Sequence, residues 1–236
     1  MPATKTLTQM LAITRELADQ ENSTFVDDTE LTARINEACS QLYDMLVLAR
    51  GSEYYATSAT SATVASQALY TFVTSFSASD VYRIVSVMVD DGSYYVSVPR
   101  FEYAELPGLR TLESTSSSSL WLYRYRAVPT GIELRPQPTG TGHTVTLHYI
   151  PTYTLLSSGS DTFDGINGWE KWACLQAAID CLNKEESDPS ALMAQRGHIE
   201  QQIKQLAPGR DINRPQKVSD TRQDYARLRY SHARYS

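Results

Sequence analysis

The sequence predicts an α+β fold: a four-helix bundle, with two N-terminal and two C-terminal helices, an inserted antiparallel β lobe and an extended C-terminal tail. Three observations carry this reading. Apolar residues recur at helical 3, 4, 7 spacing near both ends of the chain, alternate as in strands through the middle, and nearly vanish after residue 207. With 236 residues, 42% hydrophobic and 20% charged, the chain is long enough to bury one core divided into lobes. It divides into N-terminal helices over 1–51, the β lobe over 52–160, C-terminal helices over 161–207 and a basic Tyr/Arg tail over 208–236.

The first helix is expected over 7–19, where Leu7, Met10, Leu11, Thr14, Leu17 and Ala18 share a face. A second spans about 28–49. Asp27 and Glu30 are spaced as a capping box, with Val26 and Leu31 as its hydrophobic staple. Its stripe is Leu31, Ile35, Ala38, Leu42, Met45 and Ala49, and Gly51 is the expected C-cap. From Tyr54 the period changes. Extended structure is expected to Ala65, with strands over Leu69–Val73, Val81–Val89, Tyr94–Val98, Leu120–Tyr125, Gly131–Leu134 and Thr144–Ile150. Asp91-Gly92 marks a hairpin. Phe101–Leu106 reads as one helical turn ended by Pro107-Gly108, and Ser114–Ser119 as a loop. In Val81–Val89 the odd positions read as a β-branched core face interrupted by Arg83.

Asn167 and Glu170 have the spacing of another capping box, leading into a helix over 168–186 that is apolar on nearly all sides and therefore central. Asp188-Pro189 opens a more exposed helix over 189–207, stopped by Pro208-Gly209.

Several function classes lose support. No apolar run approaches the ~20 residues of a membrane span, and MPATKTLTQML lacks the apolar core of a signal peptide. Cys39, Cys174 and Cys181 have no metal spacing and read as reduced core residues, as suits folding in a cytosol. His143, His148, His198 and His232 form no ligand set, and no G-x-S-x-G elbow or phosphate-loop lysine is present. The carboxylate pairs at 27–28, 90–91 and 185–186 fit a cap, a turn and a solvated helix end. A non-enzymatic protein with no catalytic residue, metal or cofactor is expected. The 15 tyrosines against 5 phenylalanines suit half-wet interfaces. Trp121, Tyr123 and Tyr125 would share one strand face; cross-strand packing is its commoner cause, and a carbohydrate- or host-surface-binding module is the alternative function.

The tail is compositionally distinct. Residues 208–236 carry seven positive and three negative charges, a net +4, on a chain whose overall charge is −6. Ile212, Val218 and Leu228 are its only aliphatics larger than Ala, so it cannot offset its own ordering entropy. Tyr225, Tyr230 and Tyr235 interleave with Arg210, Arg214, Lys217, Arg222, Arg227, Arg229 and Arg234, the anchor types of interface hot spots. A solvated terminus and a DNA-binding arm are the other readings.

ENSTFVDDTELTARINEACSQLYDMLV, LRPQPTGTGHTVTLHYIPTYTLL and DTFDGINGWEKWACLQAAIDCLNKEESDPSALMAQRGHIEQQI resemble head-to-tail adaptor (connector) proteins of tailed bacteriophages. The D-G-I-N-G-W-E entry to the buried helix and the K-E-E-S-D-x-S-x-L-M-A-Q turn are the most specific pieces. The resemblance covers nearly the whole chain. It implies a structural virion protein made in the host cytoplasm and placed in the neck, forming a ring, usually twelvefold, beneath the portal protein and above tail (nozzle or tube) proteins. DNA would pass through the channel without specific binding, as an acidic body favours. The portal would then be the partner of the ten tail residues just named.

Overall fold

The computed structural model describes residues 4–20, 25–50, 54–113, 120–166 and 168–206, apart from the side chains of Arg50 and Trp121. The fold is mixed α+β, with six α-helices and two antiparallel sheets among the described residues. Helix α1 spans Leu7–Leu17. Thr6 caps it: the Thr6 hydroxyl accepts from the Gln9 N–H and the Gln9 side chain accepts from the Thr6 N–H, a capping box the sequence reading overlooked. Leu7, Met10, Thr14 and Ala18 are buried, as their spacing requires.

Helix α2 spans Asp28–Arg50. Half of its expected capping box forms. Asp27 accepts from the Glu30 N–H at 2.7 Å, with Val26 and Leu31 both buried. The Glu30 carboxylate turns away instead, toward Arg34 and Lys184 at 2.6 Å each. Two cations offer it more than one N–H does, and they hold it below the usual carboxylate range, Lys184 foremost. The stripe is broader than predicted, since Cys39, Tyr43, Leu46 and Val47 are also buried. Gly51 lies outside the described residues.

The middle of the chain forms β1 (Thr57–Ala62), β2 (Leu69–Thr71), α3 (Phe72–Phe76), β3 (Val81–Asp90), β4 (Tyr95–Val98), α4 (Leu106–Glu113), β5 (Arg124–Val128), β6 (Gly131–Arg135) and β7 (Thr144–Pro151). One sheet has the order β1-β7-β3-β4 and the other β2-β6-β5. A shared cluster lies between them, built from Tyr70, Phe76, Val87, Val89, Val96, Val98, Ile132, Leu134, Val145 and Leu147. The hairpin at Asp91-Gly92 forms: Gly92 sits at φ +88°, and Asp91 accepts from the N–H groups of Ser93 and Tyr94.

Three local expectations fail for identifiable reasons. Phe72 and Val73 leave the strand and enter α3. Thr71 accepts from the Thr74 N–H, and the Thr71 N–H donates to Ser75, local bonds that compete with a ladder. Pro107 and Gly108 do not terminate a helix; they lie in the first turn of α4, where proline has no N–H to waste. Leu120–Leu122 is a 3-10 turn rather than a strand start, with the Tyr123 N–H donating to the Leu120 carbonyl.

Along β3 the pairing with β7 slips twice, between Val81 and Arg83 and between Ile84 and Ser86. Each slip moves later residues to the other face. As a result Val81 and Ile84 pack toward the β cluster, whereas Val85 packs toward the helices. Arg83 is therefore no break in a core face.

Helices α5 (Glu170–Lys184) and α6 (Ser190–Leu206) complete the chain. As predicted, α5 is central, with Trp172, Ala173, Cys174, Leu175, Ala177, Ala178, Ile179 and Cys181 buried. Helices α1, α2 and α6 pack on it. The two motifs around it have a physical basis. In the entry motif, Gly168 takes φ +85°. A Cβ on Gly165 would lie 2.7 Å from the Glu170 backbone nitrogen, so only glycine fits there. Glu170 is not the third residue of a box; it opens α5 and accepts from the Gly165 N–H at 3.2 Å. Asn167 lies outside the described residues. In the later turn Glu186 takes φ +58° while the Ser187 N–H reaches the Leu182 carbonyl, a Schellman-type ending. Asp188 then caps Ser190 at 3.0 Å. Only Ile203 of α6 is buried. Pro208 and Gly209 lie outside the described residues.

Candidate functional site

A row of aromatic rings runs along the helical cluster. Tyr54, Tyr55, Tyr43, Tyr153 and Phe163 follow one another with ring centroids 4.8, 4.9, 6.3 and 5.6 Å apart. Their hydroxyls are used. Tyr43 donates to the Pro151 carbonyl at 2.7 Å and Tyr55 to the Asp164 carbonyl at 3.0 Å. Burial pushes the Tyr43 hydroxyl up to about 12 and raises that of Tyr153 as well, so both remain donors at neutral pH. At the centre is Asn36 of α2. Its amide donates to the Leu156 carbonyl at 2.9 Å, and its oxygen accepts from the Leu156 N–H at 2.8 Å and the Tyr153 hydroxyl at 2.9 Å. One side chain thereby ties α2 to the segment leaving β7.

Above this row runs a groove of about 820 Å³ along the outer face of α2. One wall is Thr29, Thr32, Ala33, Asn36, Glu37, Ser40, Gln41 and Asp44; the other is Tyr82 of β3 with Thr152, Tyr153 and Leu155. Leu155 is 67% exposed and Tyr82 51% exposed, although both are large and apolar. The Asp44 carboxylate beside Tyr82 raises the Tyr82 hydroxyl above its ordinary range. The charged lining residues are Glu37 and Asp44, both acidic. An open groove with exposed apolar side chains and one sign of charge suits a peptide segment better than a small substrate.

The β lobe holds a second polar assembly. Glu133 pairs with Arg126 at 2.6 Å and with Arg135 at 2.9 Å, and Arg135 pairs with Glu113 of α4 at 2.8 Å. The Arg126 guanidinium lies 3.7 Å from the Tyr103 ring centroid. Every charge here has an opposite partner, so the assembly pins α4 and the 3-10 turn at Tyr103–Glu105 to β5 and β6. It is a structural clasp.

Candidate chemistry is sparse elsewhere. Among the described residues no three His, Cys, Asp or Glu side chains are placed to hold a metal. Cys39, Cys174 and Cys181 are free and buried. Burial pushes the Cys39 thiol up to about 12 and Cys174 up to about 11, far from nucleophilic thiolate. Gln202 lies 3.0 Å from His198 on the exposed side of α6, and His148 lies 3.5 Å from the Tyr95 hydroxyl.

The aromatic face expected of Trp121, Tyr123 and Tyr125 does not form. Tyr123 is 3% exposed in the β cluster, and Tyr125 packs against the same cluster; the Trp121 side chain lies outside the described residues. The 3-10 turn breaks the alternation and turns Tyr123 inward, so Tyr123 and Tyr125 do not present one exposed face. The ten tail residues from Arg210 to Tyr235 also lie outside the described residues. What the sequence reading missed is the groove. Its signal was faint: Asn36 and Ser40 interrupting the flank of the α2 stripe, and the tyrosine excess.

No curated protein matches the chain. A family model, SU10 adaptor protein, matches residues 5–224. That span takes in both helical ends, both sheets and the aromatic junction, and with it the chain belongs to the SU10 adaptor protein family.

Proposed function

We propose that this chain is a structural, non-catalytic head-to-tail adaptor of a phage virion. The family match over residues 5–224 carries the reading. Subunits assemble as a homo-oligomeric ring, twelvefold by analogy with such adaptors, between the portal protein and the tail proteins. The helices over 1–51 and 161–207 act as one four-helix bundle forming the ring wall. The β lobe over 52–160 is an insertion free to meet neighbours or tail proteins. The acidic balance of the chain, −6 overall despite a basic tail, favours a channel through which DNA slides without specific binding. Residues 208–236 reach the portal, with bidentate arginine pairs to portal carboxylates and tyrosines in pockets.

The test mixes the purified full chain with its portal. Co-migration as a closed ring complex is expected; separate migration overturns the reading. Deleting 210–236 should leave unfolding cooperative and reduce portal docking. Docking unchanged by the deletion removes the tail from the mechanism while leaving the adaptor reading standing.

A further inference from the structure

The groove along α2 is an open surface of about 820 Å³ that the packing of the described residues leaves unfilled. The second candidate, the outer face of the β1-β7-β3-β4 sheet, presents Ser58, Thr60, Tyr95, Ser97, Thr144 and His148, with no cluster of charge to specify an occupant. The groove differs because its chemistry does specify one. It offers two carboxylates, Glu37 and Asp44, exposed apolar surface at Leu155 and Tyr82, and small residues at Ala33 and Ser40 that let a backbone approach. An extended segment rich in arginine and tyrosine is complementary on every count: guanidinium forks for the carboxylates and rings for the apolar wall. Such a segment exists in this chain, in residues 208–236, with net charge +4.

Reach is sufficient. Lys184, at the end of α5, bonds to Glu30, near the start of α2, so these helices are antiparallel. Helix α6 returns along α5, with Arg196 donating to Gln176, and Leu206 therefore emerges toward the end of α2. Thirty residues follow Leu206, about 100 Å when extended. From Thr29 to Asp44 the groove covers about 22 Å of helix, which about seven extended residues span. Tethering at this length gives an effective concentration of order millimolar, so even a weak contact is populated within one molecule before it is populated between molecules.

We propose that, in the protein away from its partners, the chain's own C-terminal segment lies in the α2 groove through Glu37 and Asp44. The groove then serves as a resident seat for the tail, which must be vacated wholly or in part before the same arginines and tyrosines engage another protein. This deepens the tail's assignment above and rests on the tail being a binding arm, but it concerns the isolated chain.

A photo-crosslinking residue at Gln41, at the groove wall, tests it in the full chain without portal. The expected result is a crosslink mapping to residues 208–236 at monomer mass. Glu37→Lys with Asp44→Lys should lower its yield at least tenfold, as should raising the salt to about 0.5 M. Both residues are exposed, so the variants retain the fold, which circular dichroism checks. A crosslink at dimer mass overturns the proposal in favour of a second copy. No crosslink to 208–236, or a yield indifferent to the charge reversals, overturns it outright. Portal docking is measured separately, so its failure and the failure of this contact are distinguishable.

Discussion

The helical cluster is organised around one element and the β lobe around none. Helix α5 is apolar on nearly every side and receives α1, α2 and α6, so that core is specified by one sequence segment with its partners' stripes. The β cluster is divided among seven short strands, α3 and two turns. Its edges are fixed by the Arg126–Glu133–Arg135–Glu113 clasp rather than by further apolar area. The difference teaches that a periodic helix carries its own address, whereas a small twisted sheet needs polar clamps to hold its peripheral segments. The two halves are joined through Ile150 and Val85, strand residues packed in the helical cluster, and through Asn36.

The largest test of that comparison is truncation of one core at a time. Trp172→Ala should cost about 3–5 kcal/mol and Leu134→Ala about 2–5 kcal/mol. Because Ile150 and Val85 couple the clusters, both variants should shift a single denaturant transition, seen alike by far-ultraviolet circular dichroism and by tyrosine fluorescence. Two separated transitions in either variant would show that the halves fold independently.

The junction itself is probed by Asn36→Ala, which leaves the Leu156 N–H and carbonyl unpaired and should cost about 1–3 kcal/mol. Asn36→Asp keeps both acceptor contacts but sets a carboxylate oxygen against the Leu156 carbonyl, so at neutral pH it should cost at least as much as the alanine variant. Hydrogen exchange at the Leu156 amide reads the local effect. If the amide stays as protected in Asn36→Ala as in the unmodified chain, the tie between α2 and the exit from β7 is not what the geometry implies.

The smallest expected effect has the opposite sign. Glu170 is 2% exposed, one of its oxygens has no partner, and burial raises its carboxyl above the ordinary 4.5. A raised folded-state value means that the protonated form favours the fold. That contribution is complete below about 4.5 and is lost as pH rises through the folded value. Glu170→Gln should therefore stabilise the protein at pH 7.5, with the gain fading below the ordinary carboxylate range. Urea midpoints at pH 4 and pH 7.5 measure it; a variant destabilised at pH 7.5 and less so at pH 4 would mean that the carboxylate is satisfied as an anion.

The four long helices were legible because caps and stripes are local, whereas α3 and α4 were not. Asp27, Asp188 and the Leu31–Leu42 stripe act through neighbours two to four residues away. Most β segments were legible from alternation, yet their faces were not. The two slips in β3 depend on its pairing with β7, and no property of Val81–Val89 alone announces them. The turn at Leu120–Leu122 likewise follows from burying Leu120 and Tyr123 together, and it moved Tyr123 from an expected surface into the core. The groove was invisible for the same reason: Tyr82, Leu155 and Asp44 are far apart in the chain.

Local sequence was enough for the order of the four long helices around a β-rich middle, for the central helix and for the contrast between an acidic chain and its basic tail, because propensity, capping and charge are properties of short segments. Tertiary structure alone decided which faces are wet, where the halves are tied, and that an acidic aromatic groove lies beside α2. Those features arise where distant segments converge, and convergence is set by packing rather than by any local pattern.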